Sequence, residues 1–142
     1  MWQRLQTLYL AISTIIVASF FFTDMAVILT PEGTELSIKY SEKIIYLIFN
    51  IMLISGMGTA LFSFKVRLLQ LRVTVLMSIL LLGFQAWLGY DFFMNKDNMV
   101  FSFTIVLPIV AIILNLLAVR AIALDEAMVQ SSARLRGGRR RR

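Results

Sequence analysis

Residues 44–64 read IIYLIFNIMLISGMGTALFSF and contain no Asp, Glu, Lys or Arg. A helix of this length is about 31 Å long, close to the thickness of the hydrocarbon core of a bilayer. Three further runs, at 5–23, 73–90 and 100–119, are equally free of charged residues. A charge at the centre of such a run would cost about 2.5 to 3.5 kcal/mol on insertion scales. The sequence therefore predicts an all-α membrane protein, a bundle of four transmembrane helices.

Composition agrees with this prediction and removes several kinds of chemistry. Hydrophobic residues make up 59% of the 142 residues and charged residues 15%, which is too apolar for a soluble domain. The chain has no Cys and no His, so thiol nucleophiles, imidazole bases and thiolate or imidazole metal sites are all excluded. We expect no catalytic, cofactor-binding or metal site, and hence no enzyme.

The basic residues predict the orientation of the chain. The connections at 24–43 and 91–99 carry only Lys39, Lys43 and Lys96, together with most of the acidic residues. The other side is much richer in Lys and Arg, and by the positive-inside rule it is the cytoplasmic side. Both termini then lie in the cytoplasm. The basic residues of that side are Arg4, Lys65, Arg67, Arg72, Arg120 and the arginines of the C-terminal tail.

The longest outer connection has the pattern of a hairpin. Pro31-Glu32-Gly33 suits a turn, because Pro presets one backbone angle and Gly accepts a positive φ. Residues 36–40 alternate between apolar and polar side chains, which is the period of a half-buried strand, and residues 25–30 could pair with them. An irregular loop remains the alternative, because two strands alone are marginally stable.

The fourth helix is predicted to continue beyond the membrane to about residue 136. Leu117, Ala121, Leu124 and Met128 recur at helical spacing, with polar residues between them. Gly137-Gly138 should end this helix. We therefore divide the chain into a four-helix domain at 1–136 and a disordered, arginine-rich tail at 137–142. That tail should bind anionic lipid headgroups, whereas we do not expect nucleic acid as a partner.

A few polar side chains lie within the predicted spans. Asn50 and Gln85 should lie about 8 to 9 Å below the outer interface, where their amides could form an interhelical hydrogen bond or contact a substrate. Asn115 and Gln6 could join the fourth helix to the first, or Asn115 could bind a neighbouring backbone group. Pro108 lies in the middle of the fourth span, where we expect it to kink the helix by removing the hydrogen bond to the Thr104 carbonyl.

Small residues and charges mark two further features. Gly56 and Ala60 form a step of small residues that lets two helices approach closely. Charged residues of the first and fourth helices fall near the predicted inner interface and could pair there. They are Arg4, Arg120, Asp125 and Glu126. The alternative is a set of solvated charges worth at most about 1 kcal/mol per pair.

The two ends of the chain together resemble a known family. Residues 2–10 (WQRLQTLYL), 107–111 (LPIVA) and 115–122 (NLLAVRAI) are similar to a bacterial family of short four-helix membrane proteins. That family is a domain of unknown function found chiefly in the Bacteroidota. Ala133 departs from the sequence pattern of this family, which has an acidic residue at this position. The resemblance implies a location in the bacterial inner membrane and carries no mechanism.

The family-like polar residues concentrate on the cytoplasmic side. We therefore expect a non-enzymatic membrane subunit or scaffold that presents a charged cytoplasmic face to a larger protein partner. A small membrane transporter is the alternative, although small four-helix multidrug transporters depend on a membrane-embedded acidic residue that these spans lack. The expected partner-binding residues are Arg4, Arg120, Asp125, Glu126, Arg134 and Arg136.

Overall fold

The computed structural model describes residues 2–29, 33–95, 97 and 99–139, with side chains described from Leu5 to Ser132 outside the gaps and Leu29. Four helices dominate this part of the chain: α1 (Trp2–Ser19), α2 (Ile44–Phe62), α3 (Arg67–Asn95) and α4 (Leu107–Arg139). Three helical segments are long and apolar enough to cross a membrane, namely Ile44–Lys65, Arg67–Asn95 and Phe103–Ser132. The first helix contributes a shorter apolar segment, Leu5–Ser19.

The helices follow one another around a ring. Helix α1 packs against α4 and α2, and α3 packs against α2 and α4. Leu53, Leu81 and Ala111 lie in the interior of this ring and are fully buried. The outer surface is also apolar, since side chains such as Ile79 and Ile15 are more than half exposed. The helices thus bury one apolar face and leave another uncovered.

A small antiparallel sheet covers one end of the ring, which we call the sheet end. Strand β1 (Asp24–Leu29) pairs with β2 (Glu35–Lys39), and β1 also pairs with β3 (Val100–Phe101), giving the order β2-β1-β3. Of the two alternatives that the sequence left open for this connection, the structure shows the hairpin, and Gly33 has a positive φ of 76°, which glycine adopts readily. The third strand was not predicted, and it gives the hairpin the extra partner that two strands alone lack.

Aromatic rings fill the space beneath the sheet. Four rings contact one another with centroids 5.2 to 6.3 Å apart, in stacked, tilted and edge-to-face arrangements: Phe20, Tyr40, Tyr46 and Phe84. The hydroxyl of Thr104 donates to the Asp24 carbonyl at 2.9 Å and lies 3.3 Å from the Tyr40 hydroxyl. Because the Thr104 proton is already used, Tyr40 donates to Thr104. These bonds tie the sheet to the segment that leads into α4.

Pro108 does not kink the middle of a helix. A 3-10 turn (Phe103–Val106) precedes α4, so Pro108 is the second residue of that helix. At this position a missing N–H costs nothing, because the first N–H groups of a helix have no internal partner. The Thr104 carbonyl accepts from the backbone N–H of Leu107 instead. The expected kink was wrong because the sequence did not show that the segment before Leu107 forms a strand and a turn.

Two helices are longer than predicted at the opposite end, which we call the tail end. Helix α3 begins at Arg67, directly after the short turn Ser63–Lys65, and so includes residues that were assigned to a loop. Helix α4 continues through Gly137-Gly138 to Arg139, one residue beyond the glycine pair that was expected to end it. The rest of the tail, residues 140–142, lies outside the described part of the chain.

Candidate functional site

An ion pair at the tail end joins α3 to α4. Arg67 Nη1 lies 3.1 Å from Asp125 Oδ2, and the side chains are 31% and 16% exposed. The Asp125 oxygen has no partner with hydrogen-bond geometry, so the attraction is that of two charges in contact. Asp125 was expected to meet a charge of the first helix, and its described ionic partner is Arg67 of α3 instead.

The other charges predicted for this site are arranged less closely. Glu126 accepts a hydrogen bond from Gln130 at 3.1 Å on the exposed side of α4. Arg120 is exposed. The side chains of Arg4, Arg134 and Arg136 lie outside the described residues. The structure therefore places Asp125, Glu126 and Arg120 on one stretch of α4, and it adds Arg67, which sequence reasoning had treated only as an orienting charge.

A ladder of buried polar groups runs along the inner face of α3. The hydroxyl of Thr74 donates to the Gln70 carbonyl at 2.7 Å, and that of Ser78 donates to the Thr74 carbonyl at 2.9 Å. Asn115 Nδ2 then donates to Ser78 Oγ at 3.3 Å. Asn115 thus joins α4 to α3, and its amide oxygen is buried without a partner. The expectation that it reaches the first helix or a neighbouring backbone group was wrong.

Two other side chains join α1 to α4. Gln6 Nε2 donates to the Ala121 carbonyl at 2.9 Å, which confirms the predicted contact between these helices. Ser13 Oγ donates to the Ala111 carbonyl at 3.2 Å. The Ser13 bond was missed, because a serine in an apolar run gives no indication of which helix it faces.

The predicted amide pair is not joined by a hydrogen bond in the structure. Asn50 is 2% exposed and Gln85 is half-buried. Both side-chain oxygens are buried without a hydrogen-bond partner, so neither accepts a bond from the other. Equal depth below the interface did not ensure that the two amides meet.

Gly56 marks a close approach of α2 and α3. A Cβ atom placed on this glycine would overlap the side chain of Met77. Ala60, one turn further along α2, is fully buried in a cluster with Leu10 and Ile122. The Gly56–Ala60 step therefore allows close packing along one face of α2, as the sequence indicated.

A cavity of about 530 Å³ opens between α1, α2 and the start of α3 at the tail end. One wall is apolar and includes Leu8, Ala11 and Leu61. Its polar side is formed by the Gln70 side chain, which is 4% exposed, and by Arg67. The full set of described lining residues is Gln6, Thr7, Leu8, Ala11, Leu61, Phe64, Arg67 and Gln70.

The end of α4 carries an apolar stripe that is separate from its packed face. Leu124 and Met128 are 48% and 51% exposed. At 100° per residue they lie on the same side of the helix as Leu117, roughly a third of a turn from the buried residues Ala118 and Ile122. With 33 residues, α4 is about 50 Å long, so a part of it extends past the ring. The stripe continues along this extension without a cover among the described residues.

A second polar centre lies at the sheet end around Asp91. Its carboxylate accepts from Lys43 Nζ at 2.6 Å, from the Tyr46 hydroxyl at 2.8 Å and from Asn95 Nδ2 at 2.9 Å. The bonds to Lys43 and Tyr46 join the end of α3 to the start of α2. Sequence reasoning assigned no role to this centre, although Lys43 and Asp91 each directly flank an apolar run on the same side of the protein.

Tyr40 is a further buried polar residue of the sheet end. Burial raises the pKa of its hydroxyl above the ordinary value of a tyrosine. The hydroxyl therefore remains protonated at neutral pH and can donate to Thr104 throughout the physiological range.

These features define a class of protein: a four-helix chain with apolar helices, buried polar contacts between the helices and a charged, extended tail end. The family comparison agrees with that description. A family model described as a domain of unknown function, DUF4293, matches residues 2–135, so the chain belongs to this family. No curated protein and no solved structure matches the chain.

Proposed function

We propose that this chain is a non-enzymatic subunit or scaffold of a bacterial inner membrane, with four transmembrane helices and both termini in the cytoplasm. In this proposal the sheet end faces outward and the tail end faces the cytoplasm. The asymmetry of Lys and Arg supports the orientation. The uncovered apolar surface of the helices supports the membrane location.

The observation that carries the proposal is the extension of α4. A bilayer core of about 30 Å needs about 20 helical residues, whereas α4 has 33. The extension presents Leu124 and Met128 to its surroundings, flanked by Arg120 and, in the sequence, by Arg134 and Arg136. Asp125 beside this stripe is paired with Arg67. The arginines at the ends of the stripe make it complementary to a protein surface that has an apolar groove with an acidic rim. The proposed occupant is therefore an acidic partner protein.

Photo-crosslinking in intact cells tests this proposal. A crosslinking residue at Met128 should capture one partner protein in stoichiometric yield, while the same residue at Ala123, which is exposed on another side of α4, should not. Reversing Arg120, Arg134 and Arg136 to Glu should abolish the capture, whereas Lys65→Glu with Arg72→Glu should preserve it. Arg67 is unsuitable as a control, because it pairs with Asp125.

Two outcomes would overturn the partner proposal. Crosslinks to a second copy of the chain alone would indicate a homo-oligomer, as expected of a small transporter. Crosslinks to lipid alone would mean that the stripe rests on the membrane surface.

A further inference from the structure

The cavity at the tail end opens sideways, toward the surface that we place in lipid. Leu8 of α1 and Phe64 line it and are also 52% and 58% exposed. The cavity is therefore bordered by side chains that also belong to the outer surface. The opening lies between α1 and α2, which share the least extensive contact of the four neighbouring helix pairs. An apolar chain could therefore enter between these helices from the bilayer.

The inner side of the cavity is polar. Gln70 borders the cavity but is only 4% exposed, so Arg67, at 31%, is the more accessible of these two polar side chains. Arg67 adds a guanidinium group, which has five N–H donors in a planar fork. Its contact with Asp125 lacks hydrogen-bond geometry and involves one carboxylate oxygen, so donors remain for a second anion. Arginine is well suited to phosphate oxygens, which it can bind in bidentate fashion.

The described part of the tail end carries more positive than negative charge. Its basic side chains are Lys65, Arg67, Arg72 and Arg120, against the acidic Asp125 and Glu126, and Arg67 is the charged side chain among them that lines the cavity. Basic pockets between membrane helices on the cytoplasmic side are suited to anionic lipid headgroups. The volume of about 530 Å³ lies within the range of about 300 to 1,000 Å³ that is usual for ligand pockets.

We propose that this cavity is a binding site for an anionic phospholipid. One acyl chain lies against Leu8, Ala11 and Leu61, and the phosphate is bound by Arg67. The inference rests on the membrane location and orientation proposed above, and it is independent of the partner protein. It assigns Arg67 the role of a headgroup ligand in addition to its pairing with Asp125.

Lipid titration of the full chain purified in detergent tests the site, with bound lipid counted by native mass spectrometry. Phosphatidylglycerol should bind at least tenfold more tightly than phosphatidylcholine. Arg67→Gln should weaken phosphatidylglycerol binding about tenfold, equivalent to about 1.4 kcal/mol, and weaken binding of the zwitterionic phosphatidylcholine by less. Arg72→Gln is the matched control, because Arg72 is an exposed arginine of the same helix that does not line the cavity.

A second pair of variants separates headgroup binding from a structural role of the ion pair. Asp125→Asn breaks the same pair as Arg67→Gln but frees the guanidinium, so it should keep or increase the affinity for phosphatidylglycerol. If both variants weaken binding equally, Arg67 acts only through Asp125 and the proposal is wrong. Equal losses from Arg67→Gln and Arg72→Gln would likewise overturn it, since general surface charge would then explain the binding.

A third pair tests the acyl chain. Ala11→Trp should fill the cavity and abolish lipid binding, while Ile12→Trp, one residue further on the exposed side of α1, should preserve it. Inorganic phosphate separates a lipid site from a simple anion site. If phosphate alone protects the chain from thermal unfolding as well as phosphatidylglycerol does, and if Ala11→Trp leaves that protection intact, the cavity does not hold an acyl chain.

Discussion

At the scale of single residues, Asp91 makes the strongest polar contacts of the sheet end. Its carboxylate accepts hydrogen bonds from Lys43, Tyr46 and Asn95. The Asp91 side chain, which also forms the ion pair with Lys43, is only 17% exposed. Hydrogen bonds to a charged group are worth about 1.5 to 3 kcal/mol, more than those between neutral groups. The carboxylate therefore fixes the end of α3 against the start of α2.

Asp91→Asn should lower the free energy of unfolding in detergent by about 1.5 to 3 kcal/mol, because Lys43 and Tyr46 would lose their charged acceptor. Asp97→Asn, an exposed residue just beyond the same helix, should change it by less than about 0.5 kcal/mol. A double-mutant cycle of Asp91→Asn with Lys43→Met should show coupling between the two residues. Additive effects, or equal losses at 91 and 97, would contradict this account.

The two unpaired amides lead to the opposite expectation. Removing a buried polar group that has no partner is nearly neutral or stabilising. Asn50→Leu and Gln85→Leu should therefore leave the stability in detergent unchanged or increase it, and their effects should add, since the structure shows no hydrogen bond between them. Ser78→Ala is a suitable contrast, because it removes the acceptor of Asn115 and should destabilise. A large loss from Asn50→Leu would show that its amide does have a partner.

At the scale of elements, the sequence predicted four helices and the hairpin because apolar runs and alternation are local patterns. Contacts between elements depend on how each helix is rotated about its axis, which these patterns do not determine. Gln6 was correctly assigned to α4, while Asn50 and Gln85 were placed at one depth but do not bond. The start of α3 at Arg67 was missed because Arg67, Gln70 and Arg72 interrupt the apolar run there, and that error concealed the pairing with Asp125.

The crossing of α2 and α3 at Gly56 provides a test at this scale. Gly56→Leu should destabilise the bundle by about 1 to 3 kcal/mol, because the new side chain must displace Met77. Gly58→Leu is the matched control on the same helix: its Cβ would meet no atom within 4 Å, and a better helix former should stabilise slightly. Adding Met77→Ala to Gly56→Leu should restore part of the loss. If the changes at 56 and 58 have equal effects, the two helices are not as close as the structure shows.

At the scale of the whole molecule, polar and apolar surfaces are distributed as the proposed membrane topology requires. The uncovered apolar side chains surround the ring, while charged residues gather at the sheet end and the tail end. The first helix is the shortest. The backbone N–H groups of Phe20, Phe21 and Phe22 donate hydrogen bonds to carbonyls three positions earlier, which extends the helix by one 3-10 turn. At about 1.5 Å per α-helical residue and 2.0 Å per 3-10 residue, the apolar part from Leu5 to Phe22 is about 28 Å long, close to the thickness of a bilayer core.

Cysteine labelling in intact cells tests this topology directly, because the chain has no cysteine of its own. Single cysteines at Thr34 and Asp97 should react with a membrane-impermeant thiol reagent, since both positions are exposed at the sheet end. Cysteines at Lys65 and Ser131, exposed at the tail end, should react only after the cells are opened. Gln70 is unsuitable as a reporter, because it is buried and would be protected in either orientation. A cysteine tag before Met1 reports on α1 separately, and it should be protected in intact cells. If this tag is labelled while the other four cysteines react as expected, α1 does not cross the membrane. Labelling of Lys65 and Ser131 in sealed cells would reverse the orientation and, with it, the assignment of the tail end to the cytoplasm.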